Sequence, residues 1–453
     1  MMTMADYFAE DTRPVPPVLL ERSIDPDVPA DPVDKDVFIS PEYARLEFDK
    51  MWMHAWQSTC REREIANPGD YYEYRIGEQT VLVVRGDDGT IRAFHNVCQH
   101  RGTQLVQSPR GHASEFSCSF HGWTWGLRGE LKSVPCRWDF PRVDEDSYRL
   151  PELQVGTWNG FVFVNFDTGA ESLEEYLGET VPRHFETWPL SDKVKVAHVG
   201  RVIESNWKVA LEAFLEVYHA FRTHPQTILY ASDANAQYDQ YGLHGRMINA
   251  MGAPSPHVRQ AVDDDAIVEA MISDQVAGQF QPGQEPEIDF PPVADGQNPR
   301  SVLAQWARST LEAQTGVDYT KAADTEMLDV IQYYVFPNLI PWGGAAFPLT
   351  YRARPWGPDP DYCLFEVMMF AAVPDGIDKP ADTPMRMLEP GQSWSDAPEL
   401  GGLGPIADQD TANLQKIQAG LKSRGITKVT FADVQERNLR QLHANIADYL
   451  NRY

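Results

Sequence analysis

The sequence predicts an α+β protein: a short helical start, a small all-β domain, and then a long region in which helices and strands are mixed. Three observations carry this expectation. A chain of 453 residues is long enough for two or three domains with real cores. From Tyr71 to about Phe166, short runs of alternating apolar and polar residues are separated by turn residues, the grammar of strands. After Asp167, helical spacing and β-like runs interleave.

Residues 1–39 are rich in Pro and Asp without periodicity, which suits an extended arm able to wrap a neighbouring subunit. Residues 40–58 read as a helix. Ser40 caps it, Pro41 takes its first position, Glu42 follows, and Phe48, Met51, Trp52 and Trp56 repeat at helical spacing. The all-β domain is placed at 59–168, with strands such as Thr80–Val84 and Gly160–Val164 and a hairpin turn at Gly86-Asp87-Asp88-Gly89. The remainder, 169–453, opens with a helix from about Asn206 to Arg222. Helical spacing recurs near 257–280 and 300–315, β-like runs occupy 328–337, 346–353 and 361–373, and two helices close the chain at 408–423 and 430–450. Polar, proline-rich stretches at 281–299 and 390–404 read as loops of the kind that cover a site or an interface.

Acidic residues outnumber basic ones by 66 to 39, a net charge of −27, which disfavours nucleic acid or an anionic membrane as the main partner. No uninterrupted apolar run reaches the length of a membrane span, and the first residues lack the basic and apolar parts of a signal peptide. The expectation is a cytoplasmic protein. Five cysteines (Cys60, Cys98, Cys118, Cys136 and Cys363) are too few and too unevenly placed for a disulfide framework, which leaves thiols for a metal.

Two of them have company. Cys98-Gln99-His100 lies in the β region, and Cys118-Ser119-Phe120-His121 follows, succeeded by Gly122-Trp123. Two thiolates and two imidazoles suit a two-iron cluster with thiolates on one iron and histidines on the other, or a structural zinc. Zinc ligands usually come as Cys pairs and His pairs, whereas each half here brings one of each, which favours the cluster. Cys60, Cys136 and Cys363 read as buried apolar residues. Farther on, His219 and His224 stand five apart, off a common helical face. Pro225 disfavours the α region for His224, so the helix should end near Thr223 and let His224 turn back toward His219. Two imidazoles and a carboxylate would leave three positions of an octahedral iron open.

The run Cys-x-His…Cys-x-x-His-Gly-Trp, in a β domain after a helix, resembles the Rieske domain of the aromatic ring-hydroxylating non-haem iron oxygenases, large (alpha) subunit. The resemblance implies a Rieske [2Fe-2S] cluster with Cys98 and Cys118 on one iron and His100 and His121 on the other. It implies a catalytic domain with an antiparallel sheet flanked by helices, in which His219 and His224 ligate a mononuclear Fe(II). The acid three before the first histidine, which links the two centres, is here Glu216, where many members have aspartate. Glu212, one turn earlier, is the alternative and reads as a surface carboxylate. The late motif Ala407-Asp408-Gln409-Asp410-Thr411-Ala412-Asn413 makes Asp410 the third ligand. Gln409 stands where an acid commonly precedes that ligand, which keeps Asp408 as a competitor. As a helix N-terminal carboxylate, Asp410 would also suit the dipole.

The same resemblance implies hydroxylation of a small apolar molecule by O2, with electrons from NAD(P)H through a reductase or ferredoxin. It also implies a homotrimer, or a trimer with small beta subunits, in which one subunit's cluster serves its neighbour's iron. An aromatic or other bulky apolar substrate is favoured over a quaternary amine or ether taken by a mono-oxygenating demethylase. The aromatic run Tyr333–Trp342 is expected to help line the pocket. Two readings from other classes remain: an electron-transfer protein with a non-catalytic C-terminal domain, and a zinc-dependent binding module. An iron count separates the first from an oxygenase, and absence of colour would mark the second.

Overall fold

The computed structural model describes residues 2–23, 28–277, 288–374 and 376–453. It divides into a smaller unit, Leu46–Tyr176, and a larger unit made of Met1–Arg45 and Leu177–Tyr453. In the smaller unit the strands are β1 (Gln57–Arg61), β2 (Asp70–Ile76), β3 (Gln79–Arg85), β4 (Ile91–His95), β5 (Arg110–His112), β6 (Phe116–Ser117), β7 (Thr124–Trp125), β8 (Leu131–Ser133), β9 (Glu152–Trp158) and β10 (Phe161–Asn165). Seven of them form one sheet in the order β1-β10-β9-β4-β3-β2-β5, and β6-β7-β8 form a second. Leu82, Val84, Phe94, Phe116, Trp123 and Trp125 build a core that also buries Cys98 and Cys118. Burying these aromatic and branched residues is the main favourable term holding the loops that bear the cysteines.

The larger unit is built on a five-stranded sheet of β11 (Val194–Ile203), β15 (Leu339–Pro341), β16 (Leu349–Pro355), β17 (Cys363–Ala371) and β18 (Arg386–Met387), ordered β15-β16-β17-β11-β18. All its pairings are antiparallel except the short edge pair β11–β18. A second sheet joins β12 (Gln237–Tyr241), β13 (His244–Asn249) and β14 (Val330–Tyr334). The helices include α1 (Trp207–Glu212), α2 (Ala220–Thr223), α3 (Asp264–Ala277), α4 (Pro299–Thr315), α5 (Leu403–Leu421) and α6 (Arg437–Arg452). Ile267, Val268, Met271 and Ile272 of α3 share an apolar cluster with Val302, Leu303 and Ala307 of α4.

Several expectations change in detail. The helix predicted from Pro41 is α-helical only to Glu47 and then widens into a π-turn over Phe48–Trp52. The last-but-one helix starts at Leu403 rather than near Asp408, so Asp410 lies in its second turn and is not an N-terminal carboxylate. The loop read at 390–404 contains short 3-10 turns at Trp394–Asp396 and Pro398–Leu400. Of the loop read at 281–299, residues 281–287 lie outside the described residues. The expected arm carries a helix at Met4–Ala9, and it bonds within its own unit: Tyr7 to Ser232 at 2.9 Å and the Thr12 backbone N–H to Asp324 at 2.7 Å.

The central sheet contains a buried ionic cluster. Arg352 and Glu366 are direct cross-strand partners, joined by two bonds of 2.7 Å, and Arg354 and His198 reach the same carboxylate at 3.0 and 3.2 Å. Glu366 is fully buried, and although burial opposes its charge, the two guanidinium groups hold it well below the usual carboxylate range. Glu366→Gln leaves buried cations with a neutral partner and is expected to cost about 3–5 kcal/mol, read as a lower urea midpoint for the larger unit. An unchanged midpoint would show that the cluster contributes little.

Candidate metal centres

In the smaller unit two loops have the same backbone plan. Gly102 N–H returns to the Cys98 carbonyl at 3.0 Å and Gly122 N–H to the Cys118 carbonyl at 2.9 Å, while the cysteine N–H groups bond Thr103 and Trp123 carbonyls at 2.8 Å. Gly102 and Gly122 have φ of +80° and +70°, a region glycine enters without steric cost. Each loop therefore presents a buried cysteine and, two or three residues on, a histidine. The His100 ring stacks on Trp123 at 4.8 Å, and its centroid lies 4.7 Å from that of His121.

His100 Nδ1 is buried without a hydrogen-bond partner, the state of a ring nitrogen awaiting a metal. Burial pushes the Cys98 thiol up; at Cys118 burial acts the same way, but the N–H groups of Phe120 and His121 outweigh it and hold the thiol down. Among the described residues, the set of three or more donors that closes to within 4.8 Å lies elsewhere, at His219, His224 and Asp410. Two thiols and two imidazoles, with one imidazole nitrogen orphaned, fit a two-iron cluster.

In the larger unit the helix expected over 206–222 is broken. Asn206 caps α1, its side chain accepting from Lys208 N–H at 3.0 Å, and α1 ends at Glu212. Residues 213–219 are irregular before α2 begins. Their backbone groups are met by remote side chains: Gln332 donates to the Phe214 carbonyl, Asn438 to that of Leu215 at 3.5 Å, and Val217 N–H donates to the Tyr238 hydroxyl at 3.3 Å. Just before α2, Glu216 holds the N-cap residue His219, one oxygen accepting from its N–H at 3.0 Å and the other from its Nδ1 at 2.6 Å. Burial disfavours charge on His219, but this carboxylate and Asp410 outweigh it and raise the imidazole above its ordinary value. At His224, φ −119° and ψ 64° end α2 before Pro225.

With both Nδ1 atoms engaged, the Nε2 atoms face Asp410, at 3.6 Å from His219 and 3.0 Å from His224. Asp410 is 5% exposed. Two imidazoles and one carboxylate on neighbouring elements are a donor set suited to ferrous iron with positions left open. Asp408 is committed elsewhere: its oxygens accept from Trp394 N–H at 2.7 Å and Ser395 Oγ at 2.6 Å. Glu212 is no surface carboxylate, because it accepts from His443 Nε2 at 2.7 Å.

Sequence reasoning missed Gln409, treated only as a departure from a pattern, which accepts from His224 Nδ1 at 2.7 Å. It also missed the pocket. Phe214, Tyr351, Phe365, Leu400 and Leu403 line a narrow apolar cavity that reaches Asp410, its one charged lining residue. Phe214 stacks on Phe365 at 4.7 Å, and burial together with the Asp410 charge pushes the Tyr351 hydroxyl far above the phenol range. The expected lining run does not reach it: Tyr333 and Tyr334 are core, and Phe336 stacks on Tyr449 at 5.3 Å. Cys60 and Cys363 are buried as expected, but Cys136 is exposed on a left-handed turn. Asp87 and Asp88 pair with Arg128 and Arg92 at 2.6 and 2.8 Å.

Residues 55–144 match the Rieske [2Fe-2S] domain family and residues 183–452 the catalytic domain of the ring-hydroxylating alpha subunits. The alpha subunit of chlorobenzene dioxygenase from Cupriavidus sp. (strain PS12) is 34% identical over 198 residues, 42% of this chain and 43% of that protein. The large oxygenase component of a naphthalene 1,2-dioxygenase system from Pseudomonas aeruginosa is 35% identical over 199 residues, 41% of this chain and 43% of its own length. The matched stretch thus spans less than half of these relatives. Among solved structures, a quaternary ammonium Rieske monooxygenase superposes with a TM-score of 0.66 at 17% identity, covering 92% of this chain and 95% of the other. Naphthalene 1,2-dioxygenase from Rhodococcus sp. gives 0.60 at 20% identity, covering 92% and 94%. At these identities the likeness is one of fold.

The two late aspartates are expected to separate cleanly. Asp410→Asn should abolish retention of ferrous iron in the larger unit, whereas Asp408→Asn should keep the metal and lower stability by about 1 kcal/mol through the Trp394–Asp396 turn. Metal analysis after anaerobic reconstitution, with thermal melts, reads both; metal loss in Asp408→Asn would reverse the assignment.

Proposed function

The chain belongs to the family of ring-hydroxylating alpha subunits, and from that premise we propose that it is the oxygenase component of a multicomponent system that hydroxylates an aromatic or other bulky apolar substrate with O2. Cys98, Cys118, His100 and His121 would hold the [2Fe-2S] cluster, and His219, His224 and Asp410 the mononuclear iron. Bound there, the cluster supplies single electrons and the iron a site where O2 is reduced. The electrons come from NAD(P)H through a reductase or ferredoxin, and the working assembly is a trimer. The observation that supports an apolar substrate is the character of the side chains next to Asp410, where Phe214, Tyr351 and Phe365 line a narrow cavity.

The chain's own residues do three things. Phe214, Tyr351 and Phe365 form an apolar wall that reaches Asp410. Asp410 faces Nε2 of both histidines from a buried helical position. Glu216, 9% exposed, holds the His219 Nδ1 proton and so turns Nε2 toward Asp410.

The test is a substrate panel with the reductase-reconstituted protein, reading oxygen uptake and product together. Turnover of aromatic hydrocarbons is expected; turnover of quaternary amines or ethers alone would overturn the substrate class. Glu216→Gln should preserve the fold, the cluster spectrum and most of the mononuclear iron while product from a pre-reduced, substrate-bound single turnover falls steeply. Loss of the iron would recast Glu216 as a ligand support only, and unchanged turnover would remove its role.

A further inference from the structure

The two histidines beside Asp410 are backed by different chemistry. His219 Nδ1 donates to the Glu216 carboxylate at 2.6 Å. His224 Nδ1 donates to the Gln409 carboxamide oxygen at 2.7 Å, and that oxygen also accepts from Gln226 Nε2 at 3.1 Å. The return bond, Gln409 Nε2 to Gln226 Oε1, measures 3.4 Å. Gln409 and Asp410 are consecutive on α5, where side chains diverge by about 100° around the axis. One therefore reaches Nδ1 of the His224 ring while the other faces Nε2 at 3.0 Å.

We propose that Gln409, braced by Gln226, is a positioning residue that fixes the tautomer and orientation of His224 as an uncharged partner, opposite the anionic partner of His219. The proposal rests on reading His219, His224 and Asp410 as the iron ligands. A carboxylate behind a ligating imidazole raises its basicity as well as orienting it, whereas a carboxamide orients it and adds no charge. A metal held here would meet two unequal imidazoles and one negative charge fewer than with an acid at 409. Less surrounding negative charge favours the ferrous over the ferric state.

The experiment uses the full chain with its cluster loaded and the mononuclear iron removed by a chelator. Ferrous iron is returned anaerobically against a competing chelator, and the midpoint potential of the rebound iron is measured, with the cluster spectrum and near-ultraviolet dichroism as fold controls. Gln409→Leu should weaken ferrous binding by about 10–100-fold. Gln409→Glu should bind at least as tightly as the wild type and lower the potential, an effect that a merely structural role would not produce. Should Gln409→Leu fail to fold, Gln226→Leu, which removes only the brace, should show a smaller loss of affinity. Wild-type affinity in Gln409→Leu, or an unmoved potential in Gln409→Glu, would overturn the proposal. Failure of the wild type itself to take up iron in an Asp410-dependent way would instead overturn the underlying ligand reading.

Discussion

Between Glu212 and Ala220 the chain gives up regular helical hydrogen bonding, and side chains from three distant segments take over its backbone polar groups. Gln332 of β14, Asn438 of α6 and Tyr238 of β12 bond the backbone of 214, 215 and 217. A buried peptide group left without a partner would cost about 1–3 kcal/mol; these three groups find theirs in remote side chains, while the N–H groups of Phe214 and Leu215 bond the Leu211 and Glu212 carbonyls at 3.0 Å. The consequence of the break is positional. Phe214 enters the pocket wall, Glu216 holds His219 at the start of α2, and His219 comes within 3.6 Å of Asp410. A continuous helix would have carried these side chains around its axis by about 100° per residue.

The same unit keeps its charges in closed sets. Glu366 serves Arg352, Arg354 and His198 within the sheet, Asp408 serves the Trp394–Asp396 turn, and Glu212 serves His443. Glu366, Asp408 and Glu212 each have a partner set of their own, while Asp410 faces the two Nε2 atoms and the apolar cavity together. The aromatic wall follows from register, because Tyr351 pairs directly with Val367 while Phe365 lies two residues along the same face.

Much of this was legible before any coordinates. The histidine and cysteine pairs and the all-β grammar around them are local patterns, readable because ligand chemistry demands particular residue types at short spacings, whereas Asp410 was expected only through the family resemblance. Pro225 announced the end of α2 for an equally local reason, the clash it imposes on the residue before it. The reading failed at Gln409, at Glu212 and along 333–342. In each case the deciding partner lies far away in sequence, and composition offers no cue to which of two adjacent residues will meet it.

By itself, then, the sequence determined which groups are available for chemistry and the order of the elements that carry them, because propensity, turn stereochemistry and ligand type act within a few residues. Only the tertiary structure decided which nitrogen of each histidine is occupied, which of Asp408 and Asp410 faces them, and which aromatics form the pocket. Those outcomes depend on contacts such as Gln332 with Phe214, Gln409 with His224 and Ala353 opposite Phe365. Such contacts form when separate elements pack to bury apolar surface and satisfy every buried polar group at once, a constraint on the whole unit rather than on any stretch of it.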